Sequence, residues 1–159
     1  MTNHSFTAML SVSQTPHQVF AAVANPRLWW SETITGRTDL VGAEFDYHYK
    51  DLHRCKLKVV DLVPGKSVVW RVLDNHFSFT RDKTEWTGTE LKFAIARTAE
   101  GTELRFTHLG LVPEYECYDA CTEGWTNYIN GSLKSLITTG QGRPNAGEAQ
   151  TESERSLVA

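Results

Sequence analysis

The chain has 159 residues, of which 40% are hydrophobic and 22% are charged, and its net charge is −3. These values are typical of one globular domain, and the acidic balance argues against nucleic acid or an anionic membrane surface as the main partner. Without a long apolar run or a signal-peptide core, the sequence predicts a cytoplasmic protein that does not enter a membrane.

The first predicted element is a half-buried strand over 5–13, where apolar and polar residues alternate. Thr15 and Pro16 are typical of the start of a helix, which we expect to end at Asn25-Pro26. A short helical turn is expected over 27–30, ending in two adjacent tryptophans. Residues 34–38 are predicted to form a loop.

The middle of the chain is predicted to consist of strands. Apolar and polar residues alternate over 42–50, 53–62, 67–73, 89–97 and 102–108, with a further short strand expected over 76–79. The connections are short and contain turn residues such as Pro64-Gly65, which favours antiparallel neighbours. We therefore expect six or seven antiparallel strands.

One long helix is predicted over 114–139, and the rest of the fold is expected to pack around it. Pro113 precedes it, Gly140 follows it, and apolar residues recur at steps of three and four. Two glycines, Gly124 and Gly131, lie inside it and either allow close packing, allow a bend or are simply tolerated. The chain after residue 140 is polar and rich in Gly, Ser and Glu, so the sequence predicts one domain over 1–140 and a flexible tail over 141–159.

Several short motifs in this order resemble the SRPBCC superfamily, which has the START-like helix-grip fold. The resemblance is strongest to the branch of the activator of heat-shock protein ninety ATPase. The matching motifs are Thr15-Pro16, Asn25-Pro26, Trp29-Trp30, Pro64-Gly65-Lys66, Glu85-Trp86, Phe106-Thr107-His108 and Glu123-Gly124-Trp125. The resemblance implies an α+β fold, in which a curved antiparallel sheet wraps around a long C-terminal helix. It also implies an internal cavity that holds a lipid-like or other apolar ligand.

Aromatic and apolar residues at inward positions are the candidate ligand-binding residues, because small-molecule sites are mostly apolar with a few polar groups. The alternative is that they simply fill the core. Trp70 and Trp125 are expected to face each other across the cavity. The full set is Trp30, Phe45, Tyr47, Cys55, Trp70, Val72, Phe79, Trp86, Phe93, Phe106, His108, Tyr118, Cys121, Trp125 and Tyr128.

His108 shares the inward face of its predicted strand with Leu104 and Phe106, where it could orient a ligand, act as an acid or base, or be a satisfied core histidine. His53 and Glu85 are its candidate partners. His53 and Cys55 could bind zinc together with Cys117 and Cys121, but their spacing is unlike that of zinc sites, so no metal is predicted. The sequence contains no nucleophile or phosphate-loop motif, so no catalytic residue and no cofactor are predicted.

The sequence therefore predicts a protein that binds a small hydrophobic or aromatic molecule. One alternative is a chaperone-linked interaction module, although the outer strand faces read as charged, with Glu44, Asp46, Arg54 and Lys56. The other is a cyclase- or hydrolase-type enzyme that uses His108. A homodimer or a chaperone partner is left open.

Overall fold

The computed structural model describes residues 5–158. Seven strands form one antiparallel sheet with the order β1-β7-β6-β5-β4-β3-β2. They are β1 (Phe6–Val12), β2 (Thr35–Gly36), β3 (Glu44–Tyr49), β4 (His53–Val63), β5 (Ser67–Phe77), β6 (Glu90–Thr98) and β7 (Gly101–Leu109). The predicted antiparallel sheet is confirmed. Strand β2 lies where a loop was predicted, and β5 extends to Phe77, which absorbs part of the short strand expected over 76–79.

The alternation that predicted the strands also sets which side of the sheet is covered. In β3, Phe45, Tyr47 and Tyr49 are buried, while Asp46 and His48 are exposed. The pairing of β3 with β4 places Tyr49 opposite His53 at the end of the hairpin. The pairing of β4 with β5 is interrupted twice by register shifts, and such irregularities bend a sheet.

Helix α1 (Pro16–Val23) begins at the predicted residue because Thr15 and Gln18 cap each other. Gln18 N donates to Thr15 Oγ1 (3.2 Å), and Thr15 N donates to Gln18 Oε1 (2.9 Å), which satisfies two backbone donors at the helix start. A 3₁₀ turn (Pro26–Leu28) follows. It delivers both Trp29 and Trp30 into the core, where each is almost fully buried.

The long helix consists of three consecutive segments: α2 (Tyr118–Thr126), a π-helical segment (Asn127–Leu133) and α3 (Lys134–Thr139). It begins four residues later than predicted. The first turn is capped by the buried carboxylate of Glu85, which accepts hydrogen bonds from the backbone nitrogens of Glu116 (2.8 Å) and Cys117 (3.0 Å). It ends at Gly140, whose φ of 83° suits glycine.

The chain after residue 140 is packed against the domain, which differs from the predicted flexible tail. We call residues 143–157 the C-terminal segment; it includes most of helix α4 (Glu152–Val158). Its Asn145 is 1% exposed and exchanges backbone hydrogen bonds with the Trp29–Glu32 region, from Asn145 N to Trp30 O (2.9 Å) and from Glu32 N to Asn145 O (3.0 Å). Polar composition suggested disorder, but these polar groups are satisfied by specific partners.

No helix within residues 5–158 has both the length and the apolar character needed to cross a membrane.

We expect Asn145→Ala to lower the free energy of unfolding by about 1–3 kcal/mol. The side chain of Asn145 donates to Tyr128 Oη (3.2 Å) and to the Glu148 carbonyl (2.7 Å), and it accepts from Gly147 N (2.7 Å). Urea denaturation measures the loss. Asn130→Ala, which removes one exposed hydrogen bond to the Met9 carbonyl, is the control and should cost less. Equal stability of Asn145→Ala and wild type would contradict the packed position of the segment.

Candidate functional site

A cavity of about 70 Å³ lies between the sheet and the long helix, and α4 closes one side of it. Its wall is mainly apolar and aromatic, with a few polar side chains. The sheet side and the following loops contribute Tyr47, Tyr49, Leu52, His53, Phe77, Phe79 and Trp86. The helical side contributes Ala120, Cys121, Gly124, Trp125 and Tyr128, and the remaining residues are Trp30, Glu154 and Leu157.

The structure brings about half of the predicted site residues to this cavity. Those that line it are Trp30, Tyr47, Phe79, Trp86, Cys121, Trp125 and Tyr128. The others lie elsewhere: Tyr118 is partly buried outside the wall, and the rest are buried in the core, namely Phe45, Cys55, Trp70, Val72, Phe93, Phe106 and His108. Strand alternation predicts on which face of the sheet a residue lies. It does not predict whether neighbouring side chains fill the space beside that residue.

The expected pairing of Trp70 with Trp125 across the cavity is wrong, because Trp30 stands between them. The Trp30 ring stacks on Trp70 with a centroid distance of 6.2 Å and an interplanar angle of 8°. The same ring also contacts Trp125 at 5.1 Å and Tyr47 at 4.4 Å. Trp30 therefore separates the packed core around Trp70 from the open space beside Trp125.

His108 is a satisfied core histidine rather than a ligand contact or a catalytic base. Trp125 Nε1 donates to His108 Nδ1 (3.0 Å), so the ring proton is on Nε2, which donates to Thr89 Oγ1 (2.9 Å). Thr89 in turn donates to the Trp86 carbonyl (2.6 Å). Complete burial lowers the pKa of His108 to about 3. Both ring nitrogens of His108 are hydrogen-bonded to groups that do not titrate near neutral pH. Glu85, which was one candidate partner of His108, caps the long helix instead.

Three buried polar atoms of the cavity residues have no hydrogen-bond partner within residues 5–158: Tyr49 Oη, His53 Nε2 and Trp86 Nε1. Tyr49 and His53 are directly opposite each other in the β3–β4 pairing. The ring of His53 lies 4.6 Å from that of Trp86 in an edge-to-face arrangement. The three orphan atoms therefore belong to one contiguous group of side chains, which we call the polar trio (Tyr49, His53 and Trp86).

A hydrogen bond from its backbone nitrogen holds Trp86 in place. Its indole N–H has no hydrogen-bond partner within residues 5–158. Asn75 Oδ1 accepts from Trp86 N (3.0 Å) and from Thr87 Oγ1 (3.0 Å). The indole ring stacks on Trp125 at 5.7 Å. Asn75 thus fixes the loop between β5 and β6 so that Trp86 forms part of the cavity wall.

The polar trio is electrically neutral at physiological pH. Burial, and to a smaller extent His76, lowers the pKa of His53 to about 3. Burial, with the nearby carboxylates of Glu154 and Glu148, raises the pKa of Tyr49. Trp86 carries no charge. Among the described residues that line the cavity, His53 and Glu154 are the only ones of the Asp, Glu, His, Lys and Arg types.

Glu154 is already engaged by α4 and the long helix. Its Oε1 accepts from the backbone nitrogens of Gln150 (2.6 Å) and Thr151 (3.2 Å), and its Oε2 accepts from Tyr128 Oη (3.4 Å). Burial raises the pKa of Glu154, although these hydrogen bonds oppose that shift. Its carboxylate therefore serves mainly to hold α4 over the cavity.

The cysteines do not form a metal site or a reactive thiol pair. A hydrogen bond with Cys121, together with burial, raises the pKa of Cys117, and burial raises the pKa of Cys55, so both thiols stay protonated. Within the part of the chain that the structure describes, no group of three or more His, Cys, Asp or Glu side chains could hold a metal ion. The His53–Cys55 and Cys117–Cys121 pairs do not converge into one.

The family model described as "Activator of Hsp90 ATPase homolog 1-like protein" matches residues 13–138. The chain belongs to this family. The match covers strands β2 to β7 and almost all of the long helix, but not β1, and it confirms the resemblance to the SRPBCC branch inferred from the motifs. The C-terminal segment lies beyond the matched residues. No curated protein matches the chain.

Several solved structures have the same fold as this chain. The names of some of them state a biological context, and the names of others do not. The Aha1 dimer from Colwellia psychrerythraea is 23% identical, with a TM-score of 0.69 over 89% of this chain and 100% of that chain. MLL2253 from Mesorhizobium loti is 17% identical, with a TM-score of 0.68 over 84% and 96%. DynU16, a protein in the dynemicin biosynthetic locus, is 16% identical, with a TM-score of 0.64 over 89% and 49%. At these identities the likeness shows the fold alone.

The cavity residues that sequence reasoning missed are mostly at strand ends and in the C-terminal segment. They are Tyr49, Leu52, His53, Phe77, Ala120, Gly124, Glu154 and Leu157. A signal for α4 was present, because Thr151 and Glu154 stand at the spacing of a capping box, and Glu154 N donates to Thr151 Oγ1 (3.0 Å). Nothing in the sequence placed that short helix over the cavity.

We expect the free energy of unfolding to decrease as the pH falls from about 6.5 to about 3. In this range unfolded histidines bind protons, whereas the buried rings of His53 and His108 do not. Each ring contributes a slope of up to about 1.4 kcal/mol per pH unit. The slope between about pH 6.5 and about pH 5, measured by urea denaturation, should be smaller in His53→Phe than in wild type.

Exposed His48 provides the control for this experiment, because His48→Gln should retain the wild-type slope. If His53→Phe also retained that slope, His53 would not be a buried, neutral histidine.

Proposed function

We propose that this protein binds a small hydrophobic or aromatic molecule in the cavity between the sheet and the long helix. The observation that carries the proposal is a predominantly aromatic wall around space that side chains leave unfilled. Gly124, in the middle of α2, lines this space, and a Cβ added there would meet no atom within 4 Å. Apolar walls with a few polar groups are characteristic of small-molecule sites.

The size of the cavity implies that it opens to admit a ligand. Its volume of about 70 Å³ is well below the roughly 300–1,000 Å³ of typical small-molecule sites. Residues 150–157 of the C-terminal segment are the part most easily displaced, because hydrogen bonds near the surface help to hold them: Ser153 N to Glu123 Oε1 (2.9 Å) and Asn127 Nδ2 to Gln150 Oε1 (2.9 Å). Local opening of such segments costs less than global unfolding.

The relatives are compatible with this proposal and with one other. DynU16 is a protein in a biosynthetic locus, which suits a fold that handles small molecules, whereas the family description suits a chaperone-linked role. Docking on a partner protein would favour an exposed apolar face, but the outer faces of β3 and β4 carry exposed Glu44, Asp46, Arg54 and Lys56. The internal cavity therefore supports the ligand-binding proposal better.

We expect Gly124→Leu to fill the cavity and to weaken the binding of toluene at least about tenfold. Because glycine disfavours a helix interior, the variant should keep its fold and its stability. Trp30, Trp86 and Trp125 all line the cavity, so tryptophan fluorescence can follow the titration of the full chain.

The matched control is Gly131→Ala, on the same helix but outside the wall, where the new Cβ meets the end of the Arg143 side chain (3.0 Å) and Asn127 Oδ1 (4.0 Å). It should bind toluene as wild type does. Equal binding by Gly124→Leu and wild type would show that toluene binds elsewhere, and the proposal would be wrong.

A further inference from the structure

We propose that the natural ligand is a neutral aromatic molecule with a hydroxyl or carbonyl oxygen, and that the polar trio of Tyr49, His53 and Trp86 binds this oxygen. The inference rests on the proposed function and adds the chemical class of the ligand. Four observations support it: the buried atoms without hydrogen-bond partners, their positions, their ability to donate or accept, and the charges around them.

The unpaired atoms are concentrated at the cavity. Five buried side-chain nitrogen or oxygen atoms in residues 5–158 have no hydrogen-bond partner, and three of them belong to the polar trio. The side chains of the trio are 91–97% buried, since Tyr49 is 3%, Trp86 4% and His53 9% exposed. Buried polar atoms without partners are costly and rare in native proteins. A cluster of three in the wall of one cavity is therefore best explained by a partner that binds there.

The trio contrasts with other polar groups of the same site that are fully used. Tyr128 Oη has Asn145 and Glu154 as partners, and both nitrogens of His108 are bonded. The hydrogen-bonding atoms of these side chains beside the cavity therefore have partners within the fold. The exceptions are neighbours: Tyr49 pairs with His53 across two strands, and His53 contacts Trp86.

Donor and acceptor chemistry specifies an oxygen. The indole N–H of Trp86 can only donate, so the ligand must present an acceptor. The Tyr49 hydroxyl and the neutral imidazole of His53 can each donate or accept, so a ligand hydroxyl would also find an acceptor. A hydroxyl or carbonyl oxygen on an aromatic ring meets these requirements, and the surrounding rings of Tyr47, Phe77 and Trp125 suit the rest of the molecule.

The charges exclude an ionised ligand. The cavity wall contains no lysine or arginine, and burial keeps His53 neutral, so an anion would lose its hydration without gaining a countercharge. The carboxylates of Glu154 and Glu148 both act on Tyr49 and would repel it. A cation would find Glu154 already bonded to Gln150, Thr151 and Tyr128, and it would leave the Trp86 N–H without an acceptor.

Four probes of similar size test the inference on the full-length protein at neutral pH: phenol, toluene, benzoate and benzylammonium. Binding is measured by tryptophan fluorescence and calorimetry. Phenol should bind more tightly than toluene, by roughly twofold to tenfold for each hydrogen bond formed. Both charged probes should bind more weakly than phenol.

Tyr49→Phe removes one atom of the trio and nothing else. It should weaken phenol binding roughly twofold to tenfold, leave toluene binding unchanged, and not lower the melting temperature of the free protein, because the hydroxyl has no partner there. Tyr118→Phe, in a partly buried tyrosine outside the cavity wall, is the matched control and should leave both affinities unchanged.

The outcomes separate this inference from the proposed function. If toluene and phenol bind equally, or if a charged probe binds most tightly, the ligand class is wrong while the cavity remains a binding site. The same holds if Tyr49→Phe leaves the affinity for phenol unchanged. If none of the four probes binds, both proposals are overturned.

Discussion

The position of Trp30 between the sheet and the long helix is the constraint on which the rest of the structure depends. Its ring packs against both Trp70 and Trp125. Its backbone carbonyl accepts the hydrogen bond from Asn145 N that anchors the C-terminal segment (2.9 Å). One residue thus fills the core and bounds the cavity with its side chain, and anchors the segment that closes the cavity with its backbone. Large buried aromatic residues contribute heavily to stability, so the cavity is bounded by one of the most strongly packed parts of the fold.

Two histidines that both pack edge-to-face against Trp86 have different roles. His53 and His108 are both buried and neutral, and burial lowers both pKa values to about 3. His108 forms a continuous hydrogen-bond chain from Trp125 through Thr89 to the Trp86 carbonyl, which joins the long helix to β7 and to the loop before β6. His53 Nε2 has no such partner within residues 5–158. The first histidine stabilises the wall of the cavity, and the second leaves a polar atom available inside it.

Sequence reasoning predicted the fold because its signals are local. Alternation identified the strands, and Thr15-Pro16 and Gly140 marked the start of α1 and the end of the long helix. It predicted the candidate site less well. Phe45, Trp70 and Phe93 have the same inward pattern as Tyr47. However, Trp29 and Trp70 pack against Phe93, and Trp70 packs edge-on against Phe45, so no space remains there. The amount of space left by neighbours depends on non-local packing. The packing of the polar C-terminal segment was not predicted for a related reason, since Asn145 is ordered by Trp30 and Glu32, which are far away in the sequence.

A structure of the protein with an aromatic ligand such as 2-naphthol bound would test the central claim most directly. We expect the rings to lie between the sheet and α2 and the C-terminal segment to shift to make room. The ligand oxygen should lie about 2.7–3.2 Å from Tyr49 Oη, His53 Nε2 or Trp86 Nε1. A ligand bound on the outer surface, with the cavity closed and the three polar atoms still without a partner, would contradict it.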